Sequence, residues 1–126
     1  MPEPTIHKVT AWEDASVTLL ARVSGNSGAY ITQASLTGIS TKVFDGETQQ
    51  GTTITETVSS VVFDTLQTDT NLWDVDTTGF NFKTTVAASY FPSGGKVYRV
   101  EVVFDPSSGD DFPAVFDVTT KNLMGS

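Results

Sequence analysis

An all-β fold, an antiparallel β-sandwich of about seven or eight short strands, is what this sequence predicts, and three observations carry the prediction. Thr occurs 20 times and Val 15 times in 126 residues. Side chains branched at Cβ lose rotamer freedom in a helix and pack well on a pleated sheet. Apolar and polar residues alternate with period two over much of the chain, as half-buried strands require. Clusters of Gly, Pro, Asn, Asp and Ser punctuate these stretches where turns are needed. The architecture is immunoglobulin-like in outline only, because no Cys…Trp…Cys pattern is present. Residues 1–126 read as one domain, with flexible ends at 1–4 and 121–126.

The elements follow in order. Ile6–Trp12 predicts a weak first strand. Val17, Leu19, Ala21 and Val23 alternate with Thr18, Leu20 and Arg22, and the glycine-bounded loop Ser24–Gly28 follows. Ile39, Thr41 and Val43 alternate with Ser40, Lys42 and Phe44 up to the Asp45-Gly46 turn. Thr52–Val58 and Val61–Leu66 predict two further weak strands. Phe80, Phe82, Thr84 and Val86 alternate with Asn81, Lys83 and Thr85. A short turn at Ala87–Tyr90 and the Pro92 and Gly94-Gly95 region then lead into the last hairpin. There Tyr98, Val100, Val102 and Phe104 share one face of Lys96–Asp105, opposite Val97, Arg99, Glu101 and Val103. In Phe112–Thr120 the apolar face is Phe112, Ala114, Phe116 and Val118, opposite Val115, Asp117 and Thr119. The core should hold these Phe, Val and Tyr side chains with Thr-rich faces outward, and Trp12 and Trp73 should anchor its two ends.

Charge and cysteine content exclude several classes. Seven bases against fifteen acids give a net charge of −8. The bases are scattered, so no row of cations matches a phosphate backbone, and neither nucleic acid nor an acidic membrane surface is an expected partner. With no Cys there is no disulfide framework, thiol nucleophile or thiolate metal site. No apolar run approaches the roughly 20 residues of a membrane-spanning helix. The start, Met1-Pro2-Glu3-Pro4, lacks the basic and apolar segments of a secretory leader.

Catalytic chemistry finds little support. His7 is the single histidine, and no Gly-x-Ser-x-Gly elbow exists to present a nucleophile beside it. Transition metals want several His or Cys ligands. Calcium needs only oxygen, and Asp69, Asn71, Asp74 and Asp76 lie within the longest irregular stretch, Gln67–Gly79. Their spacing departs from the calcium-loop pattern, with Leu72-Trp73 where a ligand is needed. Asp69, Asp74 and Asp76 are thus a weak calcium candidate, and Asp105, Asp110 and Asp111 a second. The reading is of a non-enzyme without a cofactor. Tyr30, Trp12, Trp73, Tyr90 and Phe91 could form a sugar-stacking strip if exposed together.

Several segments carry a family likeness. These are Val17-Thr18-Leu19-Leu20-Ala21-Arg22-Val23 with its glycine loop, Ile31-Thr32-Gln33, Val43-Phe44-Asp45, Val62–Asp69, Trp73, Gly79–Phe82 and Tyr98–Glu101. Together, over roughly residues 15–119, they resemble small all-β virion proteins of tailed bacteriophages. The motifs are structural, and no functional residue carries over from them. The resemblance implies a capsid decoration (cement) protein, or an accessory module of the tail or baseplate. It implies the virion as location after synthesis in the bacterial host cytoplasm. Its partner would be the major capsid protein or another virion protein, in a homo-oligomer (trimer or dimer). Candidate contact residues are Ile6 and Val9, in an N-terminal arm Met1–Val9 suited to strand addition, and the outward-facing Val97, Val103 and Val115.

Overall fold

The computed structural model describes residues 6–25, 28–68 and 78–123, and of Ile6 only the backbone. The eight strands are β1 (Ile6–Trp12), β2 (Val17–Ala21), β3 (Leu36–Asp45), β4 (Thr48–Glu56), β5 (Val62–Gln67), β6 (Phe80–Val86), β7 (Val97–Pro106) and β8 (Phe112–Lys121). They form a five-stranded sheet in the order β1-β8-β7-β3-β4 and a three-stranded sheet in the order β2-β6-β5. The fold is an all-β sandwich.

Alternation places the inner faces. Tyr98, Val100, Val102 and Phe104 on β7, with Phe112, Ala114, Phe116 and Val118 on β8, are buried, as are Val17, Leu19 and Ala21 on β2. Phe82 of the small sheet meets Phe104 of the large one edge to face, with ring centroids 5.3 Å apart, and this contact spans the sandwich. Phe104 also stacks on Phe112, its register partner across β7 and β8, at 5.4 Å. Apart from Phe80, which meets Phe63 edge to face at 5.9 Å, the buried apolar residues form one cluster. The β3–β4 hairpin turns at Gly46-Glu47, with Gly46 at φ 62°. A two-residue turn of type II′ needs positive φ only at its first central position.

Several expectations are corrected. Among the described residues every strand pairing is antiparallel except β1 with β8, which is parallel, Ile6 opposite Val115 through Trp12 opposite Lys121. Residues 6–9 are therefore used within the chain rather than held out as an arm, and Val9 packs against the core. Lys121 ends β8, its carbonyl accepts the Glu13 N–H, and the Leu123 N–H reaches the Glu13 carboxylate at 2.9 Å, so the chain is held to residue 123. Trp12 is 54% exposed and anchors nothing inside. It shares a face with Lys8 and Thr10, the face turned to solvent, because His7, Val9 and Ala11 take the inner positions of β1. Trp73 lies outside the described residues.

The Thr-rich faces are not uniformly outward. Thr41, Thr84 and Thr120 are buried, and the Thr120 hydroxyl donates to the Ser93 carbonyl at 2.7 Å. Asn81, expected on an outward face, is also buried. The β2–β6 ladder ends at Ala21 opposite Phe82. One step beyond, the Asn81 side-chain amide substitutes for a peptide group, its Oδ1 accepting the Val23 N–H at 2.7 Å and its Nδ2 donating to the Val23 carbonyl at 2.9 Å. A buried amide with both ends satisfied extends the sheet by one rung without a desolvation penalty. Val58–Val61 is a single helical turn that moves the chain from one sheet to the other.

Candidate functional site

Pairing and alternation together define the outer face of the five-stranded sheet. Residues opposite one another in register point to the same side. On this face β7 carries Val97, Arg99, Glu101 and Val103, β8 carries Val115, Asp117, Thr119 and Lys121, and β3 carries Ser40, Lys42 and Phe44. Lys8, Thr10 and Trp12 of β1 continue the rows. One row runs Lys8, Asp117, Arg99, Phe44; the next runs Val115, Glu101, Lys42.

Four of the chain's seven cations (Lys8, Lys42, Arg99 and Lys121) sit on this face with three carboxylates, Glu101, Asp105 and Asp117, so the face is close to balanced on a chain of −8. Apolar side chains are interspersed, with Val97 at 55% exposure and Val103, Val115 and Phe44 half-buried. Arg99 Nε lies 3.8 Å from Asp117 Oδ1, a loose surface pair of small energetic weight. Beside it a hollow of about 430 Å³ is lined by Phe44, Gly46, Glu47, Val97, Arg99, Glu101 and Asp117. Three carboxylates and one guanidinium leave it locally negative, with Phe44 as its aromatic wall. At the near corner Lys96 Nζ meets Asp45 Oδ2 at 2.6 Å, and this hydrogen bond raises the lysine pKa.

The other predicted site residues fare differently. The calcium candidates Asp69, Asp74 and Asp76 lie outside the described residues. Among the described residues no group of three His, Cys, Asp or Glu side chains is placed to hold a metal ion. Of the expected aromatic strip Trp73 lies outside the described residues, and the other four members do not assemble. Phe91 is buried against Tyr98, centroids 5.4 Å apart, and the Tyr90 hydroxyl donates to the Thr52 carbonyl. Trp12 and Tyr30 are exposed but sit on different elements, Trp12 ending β1 opposite Lys121 and Tyr30 bridged to Ser24 beyond β2. Phe44, which lines the hollow, was not among the expected site residues. Its signal was a large apolar side chain on the polar side of an alternating strand.

His7 stacks on Phe116 at 5.0 Å from the inner side of β1, and burial lowers its pKa below the usual 6.5. A base with a depressed folded-state pKa is charged more readily in the unfolded chain, so its protonation opposes folding. Its contribution to stability is complete above pH 6.5 and is lost as pH falls from there through the folded value. Melting temperatures compared at pH 7.5 and 5.5 should fall for the wild-type chain, and His7→Phe should reduce that fall. An equal fall in both chains would mean that His7 is not responsible.

Asp111, on the β7–β8 loop, has its pKa raised by desolvation first, then by a hydrogen bond and repulsion from Asp105, with a further contribution from Asp110. A raised acid favours the folded state at low pH and counts against it once ionised. Asp111→Asn is therefore expected to shift the melting temperature slightly upward at pH 7 and to leave it unchanged below pH 3.5. A drop at pH 7 would contradict this.

Comparison with family models, curated proteins and solved structures returned no match.

Proposed function

We propose that the chain is a structural virion protein, a capsid decoration or cement protein that binds the outer shell of a phage head and stabilises it through protein–protein contacts. The observation that supports this reading is the outer face of the five-stranded sheet. It is a broad surface on which Trp12, Val97, Val103 and Val115 alternate with charges of both signs, the composition of a contact surface. The likeness of residues 15–119 to small phage virion proteins supplies the kind of particle. A cysteine-free sandwich folds in a reducing cytoplasm and needs no disulfide afterwards. Bound copies stabilise a shell by mass action, because they bind the assembled state and not its separated subunits. The major capsid protein is the proposed partner, the chain acts as a homo-oligomer, and no catalytic step is involved.

The test is sedimentation of the purified chain with heads from the phage that encodes it, stripped of this chain. Pelleting at a fixed ratio to capsid subunits, with heads that survive a higher temperature, supports the reading. A chain that stays in the supernatant with heads, and pellets with isolated tails instead, moves it to the tail or baseplate. Failure to bind either particle sinks it.

A further inference from the structure

We propose that the outer face of the five-stranded sheet is a self-association surface, on which a second copy of this chain docks about a two-fold axis crossing the strands at the level of Val100. The argument starts from the rows. A two-fold axis in this orientation keeps β7 over β7 and reverses its direction, so residues equidistant from Val100 face each other. Arg99 then lies over Glu101 of the second copy, and by symmetry Glu101 lies over its Arg99. Val97 lies over Val103, again twice. On β3 the same operation sets Lys42, level with Glu101, over Phe44, level with Arg99. Isologous contact requires this kind of reciprocal matching, residue i to j and j to i.

The hollow gives the pairing a specific occupant. Lys42 of the second copy arrives over Phe44, where Glu47, Glu101 and Asp117 leave local negative charge. An ammonium on a flexible stem fits an acidic hollow with an aromatic wall, through Coulomb attraction and cation–π contact together. At the end of the sheet the match continues. Continuing the β7–β8 register puts Lys121 level with residue 95 and Asp111 level with Asp105. The two-fold therefore brings each Lys121 toward the Asp105 and Asp111 pair of the other copy.

Area and charge agree with a second copy. Five strands spaced about 4.8 Å apart and about nine residues long present a face of about 24 by 30 Å, so a pair buries about 1,400 Å², within the range of stable interfaces. The chain carries −8, whereas charges of both signs are interspersed on this face, so two copies meet over it with less repulsion than the net charge implies. The proposal deepens the homo-oligomer part of the function given above: it gives this contact face to the second copy, so that a dimer would meet a shell through its remaining surface, and it does not depend on the shell reading. A chain that dimerises and binds no head overturns only that reading.

The experiment is analytical ultracentrifugation of the full chain and three variants, each checked for an unchanged far-ultraviolet circular dichroism spectrum. The wild-type chain should be a dimer. Arg99→Glu and Glu101→Arg each place like charges across the axis and should weaken association by about tenfold or more. The double variant Arg99→Glu/Glu101→Arg exchanges the two signs and should recover the dimer, which a loss of folding could not do. Val97→Glu, at an exposed position, should dissociate it without rescue. A wild-type chain that stays monomeric at its solubility limit overturns the proposal. So does a dimer indifferent to the single variants, or a double variant no better than they are.

Discussion

Phe104→Ala is expected to lower the free energy of unfolding by about 3–5 kcal/mol, the usual cost of deleting a fully buried aromatic ring. Phe104 has no exposed surface. It is held on one side by Phe112 in its own sheet and on the other by Phe82 in the opposite sheet. Truncation opens a cavity at the seam between the two layers, where collapse would require one sheet to move toward the other. Domains of this size are stable by about 5–15 kcal/mol, so the variant should stand close to unfolding at physiological temperature. Urea titration followed by tryptophan fluorescence measures it. The midpoint should fall with the slope unchanged, and Phe104→Leu should recover a good part of the loss. A loss below about 1 kcal/mol would mean that the sheets close over the gap.

The second large effect is at Gly79, where β6 begins. Its φ is 103°, a backbone conformation open to glycine and costly for other residues, by about 1–3 kcal/mol. A Cβ there would stand 2.9 Å from the Gln67 carbonyl carbon and closer still to its oxygen. These are backbone atoms of the neighbouring strand, where Gln67 pairs with Phe80, and no rotamer change relieves the overlap. Gly79→Ala should therefore cost clearly more than the conformational term alone. Gly109→Ala is the control, since Gly109 has φ 94° with nothing within 4 Å of its Cβ. Its loss measures conformation, and the excess at Gly79 measures the close approach of β5. Equal losses at the two positions would show that β5 yields.

Strand positions were legible because periodicity is a local property. β1 lies at Ile6–Trp12, where a weak strand was expected, and β7 and β8 bury the faces their patterns named. β4 and β5 were displaced, β4 beginning at Thr48 rather than Thr52 and β5 at Val62. A register shift between β3 and β4 and the helical turn at Val58–Val61 blur the alternation there. The outward valines 97, 103 and 115 followed from the same alternation. The surface they belong to did not. Lys8, Lys42, Arg99 and Lys121 are scattered in sequence and share a face only through the β1-β8-β7-β3 order.

What the sequence alone determined is the class of fold, since β-branched composition and period-two patterning act residue by residue. It also determined which faces of the strongest strands are apolar. The tertiary structure decided everything that depends on a partner strand. β1 shows why: its two faces, His7-Val9-Ala11 and Lys8-Thr10-Trp12, differ too little in hydrophobicity to choose between them. Pairing with β8 sets the choice, because a slip of one residue would exchange the faces. Asn81 followed the same logic, buried because the ladder ended one rung short of Val23 and an amide could complete it. The charged outer face and the hollow at Phe44 are likewise products of register, which is long-range in sequence and fixed only when the sheets form.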